Sequence, residues 1–292
     1  MSSNMTLTSS VTIPKHSDQY RVVPTSAIQC ALFRVGGNGK RAQFNRELLH
    51  AGGGRSIYFT GTELRSDDLD VLMAIFNFAS GTLQPGPSNG PIKFAGLAML
   101  NKLNWPGTGY YYRKLAEALD RLQRASIRIE FDSVGENEPR FLQGNLIRKF
   151  AGSSDYKNQL VVHLEHEICY WLAIDPHLIS WEERVRIARP LGKWLHAFIS
   201  ALGPKMGPVF SAPEAVLMAQ CGSSAANLRG FRASLRDALE QMKDENVIHA
   251  YSISDGVVFI AREPGLALER CARAATQQFE LAFAEAPQLQ FD

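Results

Sequence analysis

One stretch of the chain carries arginines at a spacing that suits DNA. Read as a helix at ~100° per residue, the segment after Ser223 puts Leu228, Phe231, Leu235, Leu239 and Met242 on one face. Arg229, Arg232, Arg236 and Lys243 form a second stripe roughly 90° away. The apolar stripe would hold the helix to a core, and the basic stripe could enter a major groove. There arginine reads guanine bidentately or holds phosphates. Ser223, Ser224 and Asn227 stand at the start of this helix and complete the candidate set. The competing reading is an ordinary solvated face, since Asp237 and Glu240 lie on the same helix.

A second stretch repeats the theme. Tyr110, Tyr111, Tyr112, Arg113 and Lys114 cluster at the start of a predicted helix, followed by Arg121 and Arg124. Tyr110, Tyr111, Arg113, Lys114 and Arg121 are the candidate contacts, with tyrosines touching phosphates or thymine methyls. At least one of the three tyrosines is expected in the core.

Enzymatic signals are weaker. Gly36-Gly37-Asn38-Gly39-Lys40-Arg41 looks phosphate-friendly but fails the P-loop spacing and lacks the following Ser or Thr. His163-Leu164-Glu165-His166-Glu167 would need a histidine where Tyr170 stands to form a zincin motif. A nickase would separate its two histidines by one residue, where here two intervene. No serine-centred nucleophile elbow occurs, and the carboxylates are scattered. No catalytic residue, cofactor or metal ligand is expected.

Elements that could position these residues follow from pattern. Leu69, Leu72, Met73, Phe76 and Ala79 recur at helical spacing within 64–79. A short helix over 94–103 carries Leu97, Leu100 and Leu103; a break at Asn104–Gly107 precedes a long helix to Arg124 with Leu115, Leu119 and Leu122 inward. Ile127–Phe131 alternates as a strand and 141–150 returns as its hairpin partner. Further along, 181–202 is helical with Pro190 interrupting it, and a helix from Ser211 runs to Gln220. Gly222 makes a tight turn, and the basic helix occupies 224–244. Val247–Ser252 and Val257–Ala261 pair through Asp255-Gly256, a hairpin signal. Upstream, Ile28–Val35 reads as a strand. Helix, turn, helix, hairpin therefore occurs twice, around 94–150 and 211–262.

The expected fold class is α+β, with two tandem winged-helix domains and short β-hairpin wings. The expected organisation is a flexible arm at 1–26, a first winged-helix domain at 27–178, a second at 179–264, and a C-terminal helical tail at 265–292. The 292 residues suit two domains. At 45% hydrophobic and 21% charged the composition is globular, and a net charge of +2 confines any nucleic-acid affinity to a local patch. Cys30, Cys169, Cys221 and Cys271 lie far apart and read as core thiols of a reducing cytoplasm. No secretion signal and no membrane-length apolar run is visible.

Three segments resemble TrfA-type plasmid replication initiators. They are Thr60-Gly61-Thr62-Glu63-Leu64-Arg65-Ser66-Asp67-Asp68; Gly109-Tyr110-Tyr111-Tyr112-Arg113-Lys114 running on to Leu119-Asp120-Arg121-Leu122-Gln123; and Met218-Ala219-Gln220-Cys221-Gly222-Ser223 with the helix after it. The resemblance covers roughly 27–263. It implies tandem winged helices that bind repeated origin sites (iterons) in double-stranded DNA. The second domain's recognition helix would sit in a major groove and the first domain would contact an adjacent groove or backbone. It also implies a monomer–dimer equilibrium, no ATPase of its own, and recruitment of the host initiator, helicase and sliding clamp. The family's clamp motif, Gln-Leu-x-Leu-Phe, is missing from the N-terminal arm; Gln288-Leu289-Gln290-Phe291 is a truncated echo of it, and Gln29–Phe33 fits loosely. Two other functions use the same residues. A winged-helix repressor would bind an inverted repeat in its own promoter, and a nicking enzyme would use one of Tyr110–Tyr112.

Overall fold

The computed structural model describes residues 17–37, 39–52, 54–79, 90–132, 140–203 and 209–263. The expected tail, with Gln288–Phe291, and the arm through residue 16 lie outside the described residues.

The architecture is α+β, and one plan is executed twice. The second execution is the simpler. Helix α7 (Pro190–Leu202) leads into strand β12 (Val209–Pro213), then α8 (Glu214–Gln220), a turn, α9 (Leu228–Asp244), and the hairpin β13 (Ala250–Ser254) and β14 (Val257–Ala261). The strands form one sheet in the order β12-β14-β13. In the first execution α2 (Ser66–Phe78) leads into β6 (Ile92–Ala95), α3 (Gly96–Lys102), α4 (Gly109–Arg124), then β9 (Lys149–Ala151) and β10 (Gln159–His163), in the order β6-β10-β9. Corresponding helices match in length at 13 and 13, 7 and 7, and 16 and 17 residues.

The hairpin expected from 127–150 forms between 126–131 and 141–145, but the strands in the wing position of the first unit are β9–β10. Residues 141–150 split into β8 (Phe141–Asn145) and β9. Strand β8 pairs with β7 (Ser126–Phe131), and both join β3 (Gln43–Gly52) and β4 (Arg55–Thr62) in an antiparallel sheet ordered β3-β4-β7-β8. Alternation in 127–131 correctly signals a half-buried strand. It carries no information about which strand lies alongside.

Two other expectations are corrected. The arm does not extend to residue 26: β1 (Tyr20–Pro24) pairs antiparallel with β11 (Pro176–Ser180), and Val22 and Val23 are fully buried. The strand expected at Ile28–Val35 is a one-turn helix, α1 (Thr25–Ile28), followed by the short β2 (Phe33–Arg34). Ala27, Ile28, Cys30, Ala31, Leu32 and Phe33 are all buried, and a continuous apolar run does not distinguish strand from buried helix. Asp175 anchors the turn by accepting from Ser26 N–H at 2.9 Å and Ser26 Oγ at 2.6 Å.

Buried side chains form two large clusters, one in each unit. The first runs from Val22 to Trp181 and adds Ala197; the second is built from Ile187 onward. Leu69, Leu72, Met73 and Phe76 of α2 are buried as expected, but so are Asp68 and Asp70, because α2 is enclosed on all sides. Leu100 and Leu103 are buried while Leu97 is 49% exposed. Phe231, Leu235, Leu239 and Met242 of α9 form the expected inward stripe, with Leu228 partly buried beside them. Cys30, Cys169 and Cys221 are buried, and desolvation pushes each thiol up to about 12. Gly96 is required by close approach: a Cβ there would stand 1.7 Å from the Tyr156 carbonyl oxygen. Among the described residues no helix is long and apolar enough to cross a membrane.

The units are joined by ionic contacts centred on α2. Asp70, buried to 1% exposure, accepts from Arg184 Nε of α6 (Trp181–Arg186) and from Lys193 Nζ of α7, each at 2.6 Å. Arg184 also donates to the Lys193 carbonyl at 3.0 Å. Burial alone would raise the Asp70 carboxyl; the Arg184 and Lys193 charges outweigh it and hold it below the usual range. A backbone bond from Val35 N–H to the Cys221 carbonyl, 2.9 Å, adds a second tie.

Candidate nucleic-acid interface

Helix α9 starts later than its sequence suggests. Its cap is Asn227, whose Oδ1 accepts from Gly230 N–H at 2.8 Å. Ser223, four residues earlier, instead closes the turn, its Oγ accepting from Ala225 N–H at 3.2 Å, and Ser224 is exposed between them. Gly222 supports that turn with a φ of 57°. Replacing Asn227 with alanine removes a partner from the first helical turn. The expected loss is ~1 kcal/mol of stability, read as a lower urea midpoint with an unchanged m-value.

The basic stripe of α9 divides in two. Arg229 and Arg236 are exposed, and among the described residues neither has an ion-pair partner. Lys243 is exposed and lies 3.7 Å from Glu240. Arg232 is different: its guanidinium grips Glu214, the fully buried first residue of α8, at 2.5–2.8 Å. It is not placed as a free reader. The acids that supported a solvated-face reading are taken up by neighbours. Asp237 pairs with Arg189 at 3.4 Å and Glu240 accepts from the Tyr251 hydroxyl at 2.7 Å. Burial first, and then Glu240, push that hydroxyl above its ordinary value. Tyr251 belongs to the hairpin β13–β14, so that hairpin is tethered to α9 near Arg236.

Helix α4 keeps fewer free cations. Arg113 and Tyr110 are exposed, Tyr110 to 60%. Tyr111 is partly buried, edge-on to Tyr110 at 5.1 Å and tilted against Trp105 at 5.7 Å. Tyr112 is the core tyrosine, 8% exposed. Lys114 pairs with Asp67 at 2.6 Å and lies 4.4 Å over the Trp105 ring. Arg121 is bound to Asp68, 0% exposed, at 2.8 Å, and Asp68 also holds Arg41 at 2.6 Å. Lys114 and Arg121 thus fix α4 to α2 and are not presented outward as expected.

Sequence reasoning missed a basic group on the first wing. Arg148 and Lys149 are exposed at the start of β9. Desolvation and these two charges together hold His163 of β10 below its ordinary value. The adjacent Arg148-Lys149 pair was the available signal, obscured when 141–150 was read as one strand.

The carbonyls of Gly37 and Gly39 face a cation. Arg65 donates to the Gly37 carbonyl and to the Gly39 carbonyl, the latter at 3.3 Å, and pairs with Glu63 at 2.7 Å. Carbonyls facing inward repel a phosphate, unlike the N–H groups of a P-loop. Among the described residues no group of three or more His, Cys, Asp or Glu side chains could hold a metal.

A family model described as TrfA protein matches residues 3–262. The plasmid replication initiator protein TrfA of Escherichia coli is 24% identical over 249 residues, which cover 84% of this chain and 62% of that protein. This chain therefore spans about 62% of that curated relative's length. Among solved structures, RctB domains 2–3 superpose with a TM-score of 0.53 at 13% identity over 81% of this chain and 96% of that one. A selenomethionine form of RctB domains 2 and 3 gives the same score over 82% and 98%. At such identity these likenesses show the fold: an α+β chain of winged-helix type.

Proposed function

The chain belongs to the TrfA protein family, and from that premise we propose that it initiates plasmid replication by binding repeated origin sites, iterons, in double-stranded DNA. Helix α9 enters a major groove with Arg229 and Arg236 toward the bases or phosphates. The β13–β14 wing lies over the adjacent backbone. Helix α4, through Tyr110 and Arg113, and the first wing, through Arg148 and Lys149, meet the neighbouring groove. One observation supports this above the rest. Asp237 and Glu240 of α9 are paired with neighbours while Arg229 and Arg236 stand exposed without an ion-pair partner among the described residues. On a chain of net charge +2, that concentrates positive potential on one helix face.

The same reading extends to partners. Monomers open the origin, dimers repress, and host initiator, helicase and sliding clamp are recruited in the bacterial cytoplasm, the clamp through Gln288–Phe291. These extensions rest on the sequence resemblance. Nuclease footprinting of the full chain on the DNA flanking its own gene tests the DNA-binding reading. Direct repeats protected in phase are the expected result. A single protected palindrome would replace initiation with repression as the main activity.

A further inference from the structure

Two elements that face DNA in the reading above, α9 and its wing, meet helix α8 at one carboxylate. Glu214 is 0% exposed and opens α8. Its backbone N–H donates to the Gly256 carbonyl in the wing turn at 2.8 Å, and the preceding Pro213 pairs with Val257 beside that turn. Its side chain receives Arg232 from α9, with Nε 2.7 Å from Oε1 and 2.8 Å from Oε2, and Nη2 2.5 Å from Oε2. One guanidinium thus occupies both carboxylate oxygens. We propose that Glu214 and Arg232 are positioning residues, which set the angle of α9 against α8 and the wing, and that Arg232 makes no phosphate or base contact of its own.

This inference rests on the DNA-binding function proposed above. Two physical arguments favour it. Moving Arg232 onto a phosphate would strand Glu214 as a buried, unpaired charge, which is strongly destabilising. A bidentate arginine–carboxylate pair also fixes direction as well as distance, as a strut must. The first unit holds its α4 arginine from a different element: Asp68 of α2, also 0% exposed, captures Arg121. Each recognition helix therefore carries an arginine held by a fully buried carboxylate.

The salt dependence of binding separates a strut from a contact, because each neutralised phosphate adds ~0.9 to the slope of log affinity against log salt. The variants are Glu214→Gln and the charge-free double Glu214→Leu/Arg232→Met, which leaves no orphaned buried charge. Both are measured in the full chain against a duplex carrying the flanking repeats and a shuffled duplex, with thermal melting as the fold control. The double variant is expected to keep the wild-type slope and lose about tenfold or more of its preference for the repeats. Glu214→Gln, which weakens the bidentate grip, is expected to lose part of the preference for the repeats without a shallower slope. If the double variant does not fold, Glu214→Gln decides alone: unchanged preference for the repeats overturns the strut. A double variant whose slope falls by ~0.9 would make Arg232 a phosphate contact and overturn the proposal. Relaxed preference confined to one base pair would make it a base reader, and unchanged preference would deny the pair any positioning role. A wild-type chain that binds both duplexes equally would overturn the DNA-reading function itself, a distinct result.

Discussion

Replacing Asp70 with alanine is expected to lower the unfolding free energy by about 3–5 kcal/mol, the cost of removing one partner from a buried ion pair. Arg184, 1% exposed, would keep hydrogen bonds to the Lys193 carbonyl and Ser66 but lose its only carboxylate among the described residues. Lys193 would lose its ion pair as well. Against a typical net stability of about 5–15 kcal/mol, this change alone threatens folding. Urea denaturation at neutral pH reads it directly; a midpoint within error of wild type would contradict the burial and pairing described for Asp70. The effect also has a pH signature. The Asp70 carboxyl is lowered in the folded protein from its usual 3.8. Its contribution is therefore fully present above the unfolded value and is lost as pH falls through the lower, folded one. The stability gap between wild type and Asp70→Asn should accordingly shrink in strong acid and stay constant around neutrality.

The double variant Arg229→Ala/Arg236→Ala should cripple specific DNA binding while leaving stability almost unchanged. A base-reading arginine is worth ~1–3 kcal/mol, or about fivefold to 150-fold in affinity. The two residues lie about two helical turns apart, so their losses should add. Each single variant has its own signature. Relaxed preference at one base pair identifies a reader; uniform weakening with a slope shallower by ~0.9 identifies a phosphate contact. Arg121→Ala provides the contrast, because its partner Asp68 is fully buried: it should lose stability first. If Arg229→Ala and Arg236→Ala both bind like wild type, α9 is not the recognition helix.

What the sequence disclosed and what it concealed follow from the range of the forces involved. Helices α4 and α9 were legible because their apolar stripes repeat locally, and Leu115, Leu119, Phe231 and Leu235 are buried where the period puts them. The Asp255-Gly256 hairpin was legible because its backbone requires positive φ, and both residues have it. Strand β3 and the true first wing were not. Pairing of β3 with β4 or of β6 with β10 depends on neighbours that periodicity does not name. The same limit governed the basic residues. Arg232 lies roughly 20° from Leu239 on the helical projection, nearer the apolar stripe than Arg229 or Arg236, which was a usable hint that it packs. Arg121 gave no such hint. It points away from the core stripe of its own helix, and what covers it is Asp68, 53 positions away.

The central claim is that this chain reads specific DNA through α9, and fluorescence anisotropy tests it most directly. Labelled duplex from beside its own gene and a shuffled control are titrated with the full chain across a salt series. The account predicts a preference of ~10³-fold or more for the native duplex at physiological salt, with affinity falling steeply as salt rises. Equal, weak binding to both duplexes at every salt concentration would contradict it and leave Arg229 and Arg236 as a generic basic patch.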